Sequence, residues 1–170
     1  MNTSRIAQSS LAFMVAVSIA GPVAHAEKRE QTYVKTASRT VSKSAFVLGD
    51  SPAREISSEV QLQTSTFSNP DFKVTEEWIY LHADQVDGTG GHGGYYTYVH
   101  KDGENTYGTF EGTHNTTVKD DGSWLTIWGG KYRYLGGTGK YKNIKGSGNY
   151  KGKVGSKEPY REEGREQIEY

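Results

Sequence analysis

The chain has 170 residues, no cysteine and a formal net charge of zero at pH 7. This length suits a single domain, the lack of cysteine excludes disulfides, thiolate nucleophiles and cysteine-based zinc sites, and the balanced charge gives no global attraction for nucleic acid. Only 34% of the residues are hydrophobic, while the chain contains 12 Tyr, 3 Trp and 21 Gly, a composition that favours β structure over helix.

Residues 1–26 have the features of a secretory signal peptide. Arg5 gives a positive start, residues 11–20 form an apolar run, and Ala24-His25-Ala26 resembles a cleavage site. The apolar run is too short to cross a bilayer as a helix. We therefore expect cleavage before Glu27 and an exported protein, periplasmic or extracellular, that is not associated with the membrane once the signal peptide is removed.

The next segment, residues 27–56, is polar apart from an apolar island at 45–48, and we interpret it as a partly ordered N-terminal arm. The folded domain is expected to span residues 57–170. Its first strand is predicted at 59–68, where apolar and polar residues weakly alternate before a turn at 69–71. Residues 72–85 are a stronger strand candidate, because both of its faces carry apolar or aromatic residues.

A glycine-rich loop at 87–94 contains a G-x-G-x-x-G pattern between Gly88 and Gly93. The dinucleotide-binding interpretation of this pattern requires a helix immediately after it. Residues 95–100, which include three tyrosines, are instead typical of a strand. We therefore predict that the protein binds no nucleotide, and we expect no cofactor.

Two Asp-Gly dipeptides predict hairpin turns, at Asp102-Gly103 and Asp121-Gly122. If each is a two-residue turn, Tyr98 faces Tyr107 across the first hairpin, and strand alternation divides residues 96–128 into two faces. The first face is amphipathic and carries Tyr96, Tyr98, His100, Tyr107, Thr109, Glu111, Asn115, Trp124, Thr126 and Trp128. The second face is more closely packed and carries Val99, Gly108, Phe110, Gly112, His114, Val118, Leu125 and Ile127.

Glycine recurs from Tyr134 to Lys153 at a density that no helix tolerates. Strands accept glycine where it marks a bend, a bulge or a close approach of two backbones. We predict two short strands near 141–144 and 149–154, and a last strand at 165–170 that closes the sheet. The total of seven or eight strands is typical of an up-and-down barrel or a sandwich.

The same region carries a family resemblance, in Trp124-Leu-Thr-Ile-Trp-Gly-Gly and in the Gly-Gly-Thr-Gly-Lys-Tyr-Lys-Asn-Ile-Lys-Gly pattern at 136–146. These motifs resemble the allene oxide cyclase barrel superfamily, which includes the plant dirigent proteins, and most of all its uncharacterised secreted bacterial members. The resemblance implies an all-β fold, a single antiparallel eight-stranded up-and-down barrel with a hydrophobic cavity. Because such barrels are often oligomeric, it also predicts a homo-oligomer.

The amphipathic face has the chemistry of a ligand pocket, in which large rings surround a few polar groups. We predict a small apolar or aromatic ligand bound by Tyr96, Tyr98, His100, Tyr107, Trp124 and Trp128. An exposed aromatic ladder or an oligomer interface would have the same composition.

Glu111 is the candidate catalytic residue, because a carboxylate among rings could act as an acid with a raised pKa. The alternative is a solvated glutamate on the outer face of the barrel. We predict no metal site, since the spacing of His82, Asp84 and His92 does not fix a set of ligands.

Two functions remain open from the sequence. The first is an exported barrel that binds a small molecule or is purely structural. The second is a cyclase- or isomerase-like enzyme that shapes a reactive substrate in the barrel, which requires a carboxylate pointing inward near an open cavity. Whether the protein is an enzyme is therefore uncertain at this stage, because a fold alone does not specify a reaction.

Overall fold

A computed structural model of the protein describes residues 28–51 and 53–170. The predicted signal peptide at 1–26 lies outside the described residues. The described chain forms eight strands. They are β1 (Lys28–Val47), β2 (Arg54–Phe67), β3 (Val74–Val86), β4 (Thr89–His100), β5 (Asn105–Val118), β6 (Trp124–Gly137), β7 (Lys145–Gly155) and β8 (Arg161–Glu169).

These strands form a closed barrel in chain order, in which every neighbouring pair is antiparallel. The barrel closes where residues 28–35 of β1 pair with residues 162–169 of β8. The architecture is therefore the eight-stranded, up-and-down, all-β barrel that the sequence predicted. No helix among the described residues is long and apolar enough to cross a membrane.

The predicted N-terminal arm is instead a strand of the barrel, so the boundary at residue 57 is wrong. Residues 28–47 form β1, the longest strand, and it pairs with both β2 and β8. Its buried residues are Gln31, Tyr33 and Lys35. The segment lacked the apolar alternation of a strand because its inward positions are largely polar.

The segment 141–144 is also not a strand, contrary to our prediction. A 3₁₀ turn at Gly139–Tyr141 follows β6, and the backbone N–H of Ile144 donates to the carbonyl of Tyr141 at 2.9 Å. Tyr141 and Ile144 are both buried, at 1% and 3% exposure. The turn places these two side chains in the core at one end of the barrel. The predicted strands at 149–154 and 165–170 fall within β7 and largely within β8.

Both predicted hairpins exist, but each turn has three residues rather than two. The N–H of His100 donates to the carbonyl of Glu104 at 2.8 Å, and Gly103 has a φ of +83°. Tyr98 therefore pairs with Thr106 instead of Tyr107. The second hairpin closes in the same way around Gly122, whose φ is +76°. A glycine in the left-handed region at the third loop position is the usual form of such turns.

The consequence is that β5 is turned over relative to the predicted faces. A one-residue change of register moves every side chain of a strand to the opposite face. Because both hairpins change by one residue, β4 and β6 keep their predicted relation and only β5 is reversed. The interior thus receives Phe110 and His114 from β5, whereas Tyr107 and Glu111 lie outside.

A cluster of rings and aliphatic side chains fills the end of the barrel near the β4–β5 turn. Phe72 lies at its centre, with its ring 4.6 Å from that of His100 and 5.7 Å from that of Tyr141. Tyr98, Tyr134 and Ile168 belong to the same cluster. Burial of this apolar surface is the main stabilising contribution to the barrel. The cluster occupies only one end of the interior, and the opposite half is open.

A cavity with one aromatic wall and one polar wall

The open half of the barrel contains a cavity of about 600 Å³. This volume lies within the range of small-molecule sites, roughly 300–1,000 Å³. Rings from β4, β6 and β7 form one wall, whereas β1 and β2 contribute serine, glutamine, lysine and glutamate side chains to the other. The aromatic wall carries Tyr96, Tyr132, Trp128 and Tyr150.

Glycines in the strands give these rings their positions. Trp128 pairs with Gly152, and Gly152 pairs with Glu162 on the next strand. The indole therefore lies across the glycine, and its Nε1–H donates to Oε2 of Glu162 at 2.7 Å. A Cβ at position 152 would lie 2.3 Å from the indole ring, so only glycine leaves this path open.

The same arrangement recurs one level deeper in the barrel. Tyr132 pairs with Gly148, which pairs with Glu166. The hydroxyl of Tyr132 crosses the glycine and donates to Oε2 of Glu166 at 2.6 Å. The glycine-rich pattern of β7 thus lets aromatic donors on β6 reach carboxylates on β8.

On the aromatic wall, glycines also bring together a second group of polar side chains. Tyr150 extends over Gly130 and Gly112, and its hydroxyl lies 2.7 Å from Nε2 of His92. His114 pairs with Gly90, which pairs with Gln85, and Nε2 of His114 lies 2.8 Å from Oε1 of Gln85. Two histidines and a tyrosine therefore meet on the cavity wall.

A buried ion cluster lies between β1, β3 and β8. Nζ of Lys35 is 2.6 Å from Oε1 of Glu77 and 2.8 Å from Oε1 of Glu162. Glu77 also accepts a hydrogen bond from the hydroxyl of Ser65, and Glu162 accepts one from Tyr33. All three charged groups line the cavity.

Burial and pairing act on these charges in opposite directions. Burial alone would lower the pKa of Lys35, but the adjacent Glu162 and Glu77 carboxylates outweigh it, so the pKa is raised and the ammonium stays charged. Burial raises the pKa of Glu77 even though Lys35 and Ser65 favour its ionised form. The burial of Glu77 therefore favours its protonated form, as a general acid requires.

Glu166 lies deeper, at the boundary between the cavity and the apolar cluster. It accepts hydrogen bonds from Tyr132, from Tyr134 at 3.0 Å, and from the amide of Gln31. Burial raises the pKa of Glu166 against the effect of these donors. Because Glu166 is fully engaged and does not line the cavity, we assign it a structural role.

The two cavity histidines are held in their neutral forms. Burial, and then the neighbouring His114, lower the pKa of His92 to about 4. Burial also lowers the pKa of His114. The amide nitrogen of Gln85 donates to Glu55 at 3.1 Å, so the amide oxygen is the atom that faces His114. Nε2 of His114 is therefore the protonated nitrogen, because only an N–H can bond to that oxygen.

Two tyrosine hydroxyls on the wall are buried without a hydrogen-bond partner among the described residues. They belong to Tyr96 and Tyr160, and both residues line the cavity. A buried hydroxyl that lacks a partner costs about 1–3 kcal/mol. Both hydroxyls are packed into the wall and are not exposed to the open space of the cavity.

The predicted ligand-binding residues divide into three groups. Tyr96, Tyr98, Trp124 and Trp128 line the cavity, although Trp124 lies at its rim and is 40% exposed. His100 is buried outside the cavity, where it bonds to Thr106 and stacks on Tyr141. Tyr107 is 43% exposed on the outer surface, since the β5 register is reversed.

The outer surface also holds the predicted catalytic candidate. Glu111 is exposed there and pairs with Lys131 of β6, so it cannot act inside the cavity. His82 and Asp84 are likewise exposed on that side, whereas His92 faces the interior. These three side chains therefore do not converge on a metal position.

Five charged or titratable residues that were not predicted as site residues also line the cavity, namely Lys35, Glu77, Glu162, His92 and His114. One signal was present for the glutamates of β8, because Glu162 and Glu166 are four positions apart, with Gly164 midway between them, and must share a face of a strand. The sequence did not indicate that this face points into the barrel, because charged residues usually lie on the outer surface of a protein.

A solved structure to which this chain is similar is that of a pterocarpan synthase dirigent protein. The match covers 95% of this chain and 98% of the other, with 10% sequence identity and a TM-score of 0.32. No protein-family model matches the sequence, and no curated protein sequence matches it. The barrel itself is defined by the strand pairing of this chain.

Proposed function

We propose that the protein binds a small aromatic molecule inside the barrel. The observation that carries this proposal is the cavity of about 600 Å³, in which a wall of rings faces a wall of hydrogen-bonding groups. Trp128 and Tyr160 already stack with ring centroids 5.5 Å apart, which leaves a flat aromatic surface for a further ring.

Binding can be measured with 2-naphthol and 2-naphthaldehyde as probes, by calorimetry or by quenching of tryptophan fluorescence. We expect Trp128→Ala to weaken binding at least tenfold and Ala83→Phe, which fills the cavity, to abolish it. Tyr107→Ala is the matched control, because it removes a ring from the outer surface. Equal affinities for all variants would contradict the proposal.

A second candidate function is a cyclase- or isomerase-like reaction in the same cavity. The observation that favours it is the cluster of Lys35, Glu77 and Glu162, whose carboxylates point into the cavity. The carboxylate of Glu111, in contrast, lies on the outer surface. For a ligand found to be converted, Glu77→Gln should reduce kcat at least a hundredfold while leaving Kd within about threefold. An unchanged kcat would exclude Glu77 as the acid.

We also propose that the mature protein is exported and begins at Glu27. The motifs at residues 1–26 support this location, and N-terminal sequencing of the protein from a periplasmic or culture fraction tests it. Recovery of uncleaved protein from the cytoplasm alone would contradict it.

The protein is further proposed to form a homo-oligomer through its outer aromatic surface. Tyr80 and Tyr95 are 48% and 61% exposed and pair across β3 and β4. Sedimentation analysis of wild type and Tyr95→Ser tests this assembly. A monomeric wild-type protein at micromolar concentration would contradict it.

A further inference from the structure

We propose that two copies of the protein dimerise by pairing the exposed edges of their β1 strands. The ladder between β1 and β8 ends at Lys35 and Glu162, because β8 begins at Arg161. Of the 20 residues of β1, eight pair with β8, and the other twelve, residues 36–47, do not. These twelve residues pair with β2 on one side only, and we call their other side the β1 edge.

The described part of the chain leaves the β1 edge without a backbone partner. The segment before β8, residues 156–160, contains Pro159, which has no backbone N–H to donate. Among the described residues, no backbone hydrogen bond joins that segment to residues 36–47. A long strand edge with free N–H and C=O groups is a template for a further strand. Three apolar side chains of this segment are also exposed, those of Val41 at 46%, Phe46 at 68% and Val47 at 66%.

A bulge at Val41 makes the β1 edge complementary to itself. Val41 is an extra residue relative to β2, between Thr40 and Ser42. Residues on the two sides of the bulge therefore share a face at odd separations, as Ser38 and Lys43 do in lining the cavity. A two-fold axis perpendicular to the sheet pairs residues of the same face, so the bulge decides which residues can face each other.

This condition is met by the register in which Ser38 of one copy faces Ala45 of the second copy. The two residues pair on β2 with Gln63 and Ser57, which are both buried on the inner face, so they share that face. All twelve residues of the edge then have a facing residue. In the same register the exposed ring of Phe46 lies beside Ala37 of the second copy, on the outer face.

The charges of the segment also suit a second copy. Arg39 and Lys43 are the only charged residues between 36 and 47. Arg39 faces Ser44 in this register, and Lys43 faces Thr40. Like charges directly opposite each other destabilise a strand pair, and here none are opposed. The two-fold arrangement uses both edges and closes the assembly at this contact with two copies.

Cross-linking tests the register, because the chain has no cysteine of its own. We expect Ser38→Cys and Ala45→Cys to form a disulfide-linked dimer when they are mixed and mildly oxidised, since facing Cβ atoms lie about 4.5–5.5 Å apart. Each variant alone should cross-link about tenfold less, because its two cysteines lie about 20 Å apart along the edge. Ala45→Cys mixed with Ser58→Cys is the matched control, since Ser58 is exposed on β2 and not on the edge.

Sedimentation analysis in a Tyr95→Ser background measures this contact separately from the proposed outer aromatic surface. We expect a dimer at micromolar concentration, and Val41→Lys should weaken it about tenfold, because it brings two added charges together near the axis. Val118→Lys is the control, since it adds the same charge at a valine that is 68% exposed on β5. Circular dichroism confirms that each variant is folded. A monomer in the Tyr95→Ser background, or equal cross-linking in all mixtures, overturns the proposal.

Discussion

Lys35 is a charged residue that is buried inside the barrel, where it is only 5% exposed. Its charge is compensated by Glu77 and Glu162, and both carboxylates would be left without a counter-charge if it were removed. Breaking a buried pair in this way typically costs about 3–5 kcal/mol. We expect Lys35→Met to lower the free energy of unfolding by about that amount in urea titrations.

Lys43 provides the control for that prediction, because it lies on the same strand and also contacts two glutamates. Its side chain is 47% exposed, and it lies 3.1 Å from Glu59 and 3.6 Å from Glu55. Exposed pairs contribute about 0–1 kcal/mol, so Lys43→Met should change stability little. If both variants lost the same small amount, the buried cluster would not carry the stability that we assign to it.

At the scale of the strand, β7 depends on glycine because its neighbours place rings across it. In Gly152→Ala the new methyl group would lie 2.3 Å from the indole of Trp128, which must move and lose its bond to Glu162. Overpacking of this kind costs about 1–3 kcal/mol. We therefore expect a lower melting temperature and a changed near-ultraviolet circular dichroism spectrum.

Gly91 is a matched site on β4, where the nearest atom to an added Cβ is 4.0 Å away. Gly91→Ala should leave stability within about 1 kcal/mol of wild type, since it adds no clash and reduces the freedom of the unfolded chain. A similar loss in both variants would mean that glycine matters in these strands for flexibility rather than for the space it leaves.

The strands themselves show why some elements were predictable from sequence and others were not. Asp102-Gly103 and Asp121-Gly122 marked their hairpins correctly, because glycine accepts the positive φ of a tight turn. The dipeptide does not distinguish a two-residue loop from a three-residue loop, and that single residue decides which face of β5 is inside. β1 gave no strand signal because Gln31 and Lys35 occupy its buried positions.

For the whole molecule, composition and turn signals predicted a barrel or a sandwich, and the family resemblance implied the eight-stranded barrel. The aromatic segment predicted four of the residues that line its cavity. The ion cluster could not be predicted, because it joins strands that are distant in the chain. The histidine pair was missed because the one-residue change in the β4–β5 hairpin moves His114 to the inner face. Lys35 and Glu162 are neighbours only because β1 and β8 close the barrel. A site assembled by closure therefore becomes visible only when the register of every strand is known.

The stability of the whole barrel should depend on pH through His100, which is 2% exposed in the apolar cluster. Burial lowers its pKa from 6.5 to about 4. Between these values the unfolded chain binds a proton that the folded barrel does not, so stability decreases as pH falls from about 6.5 to 4, by about 2–3 kcal/mol in all. His100→Gln keeps a polar group near Thr106 but cannot titrate. In urea titrations at pH 7, 6 and 5, we expect the difference in unfolding free energy between wild type and variant to change steadily, since all other groups are shared. Parallel curves would show that His100 is protonated equally in both states.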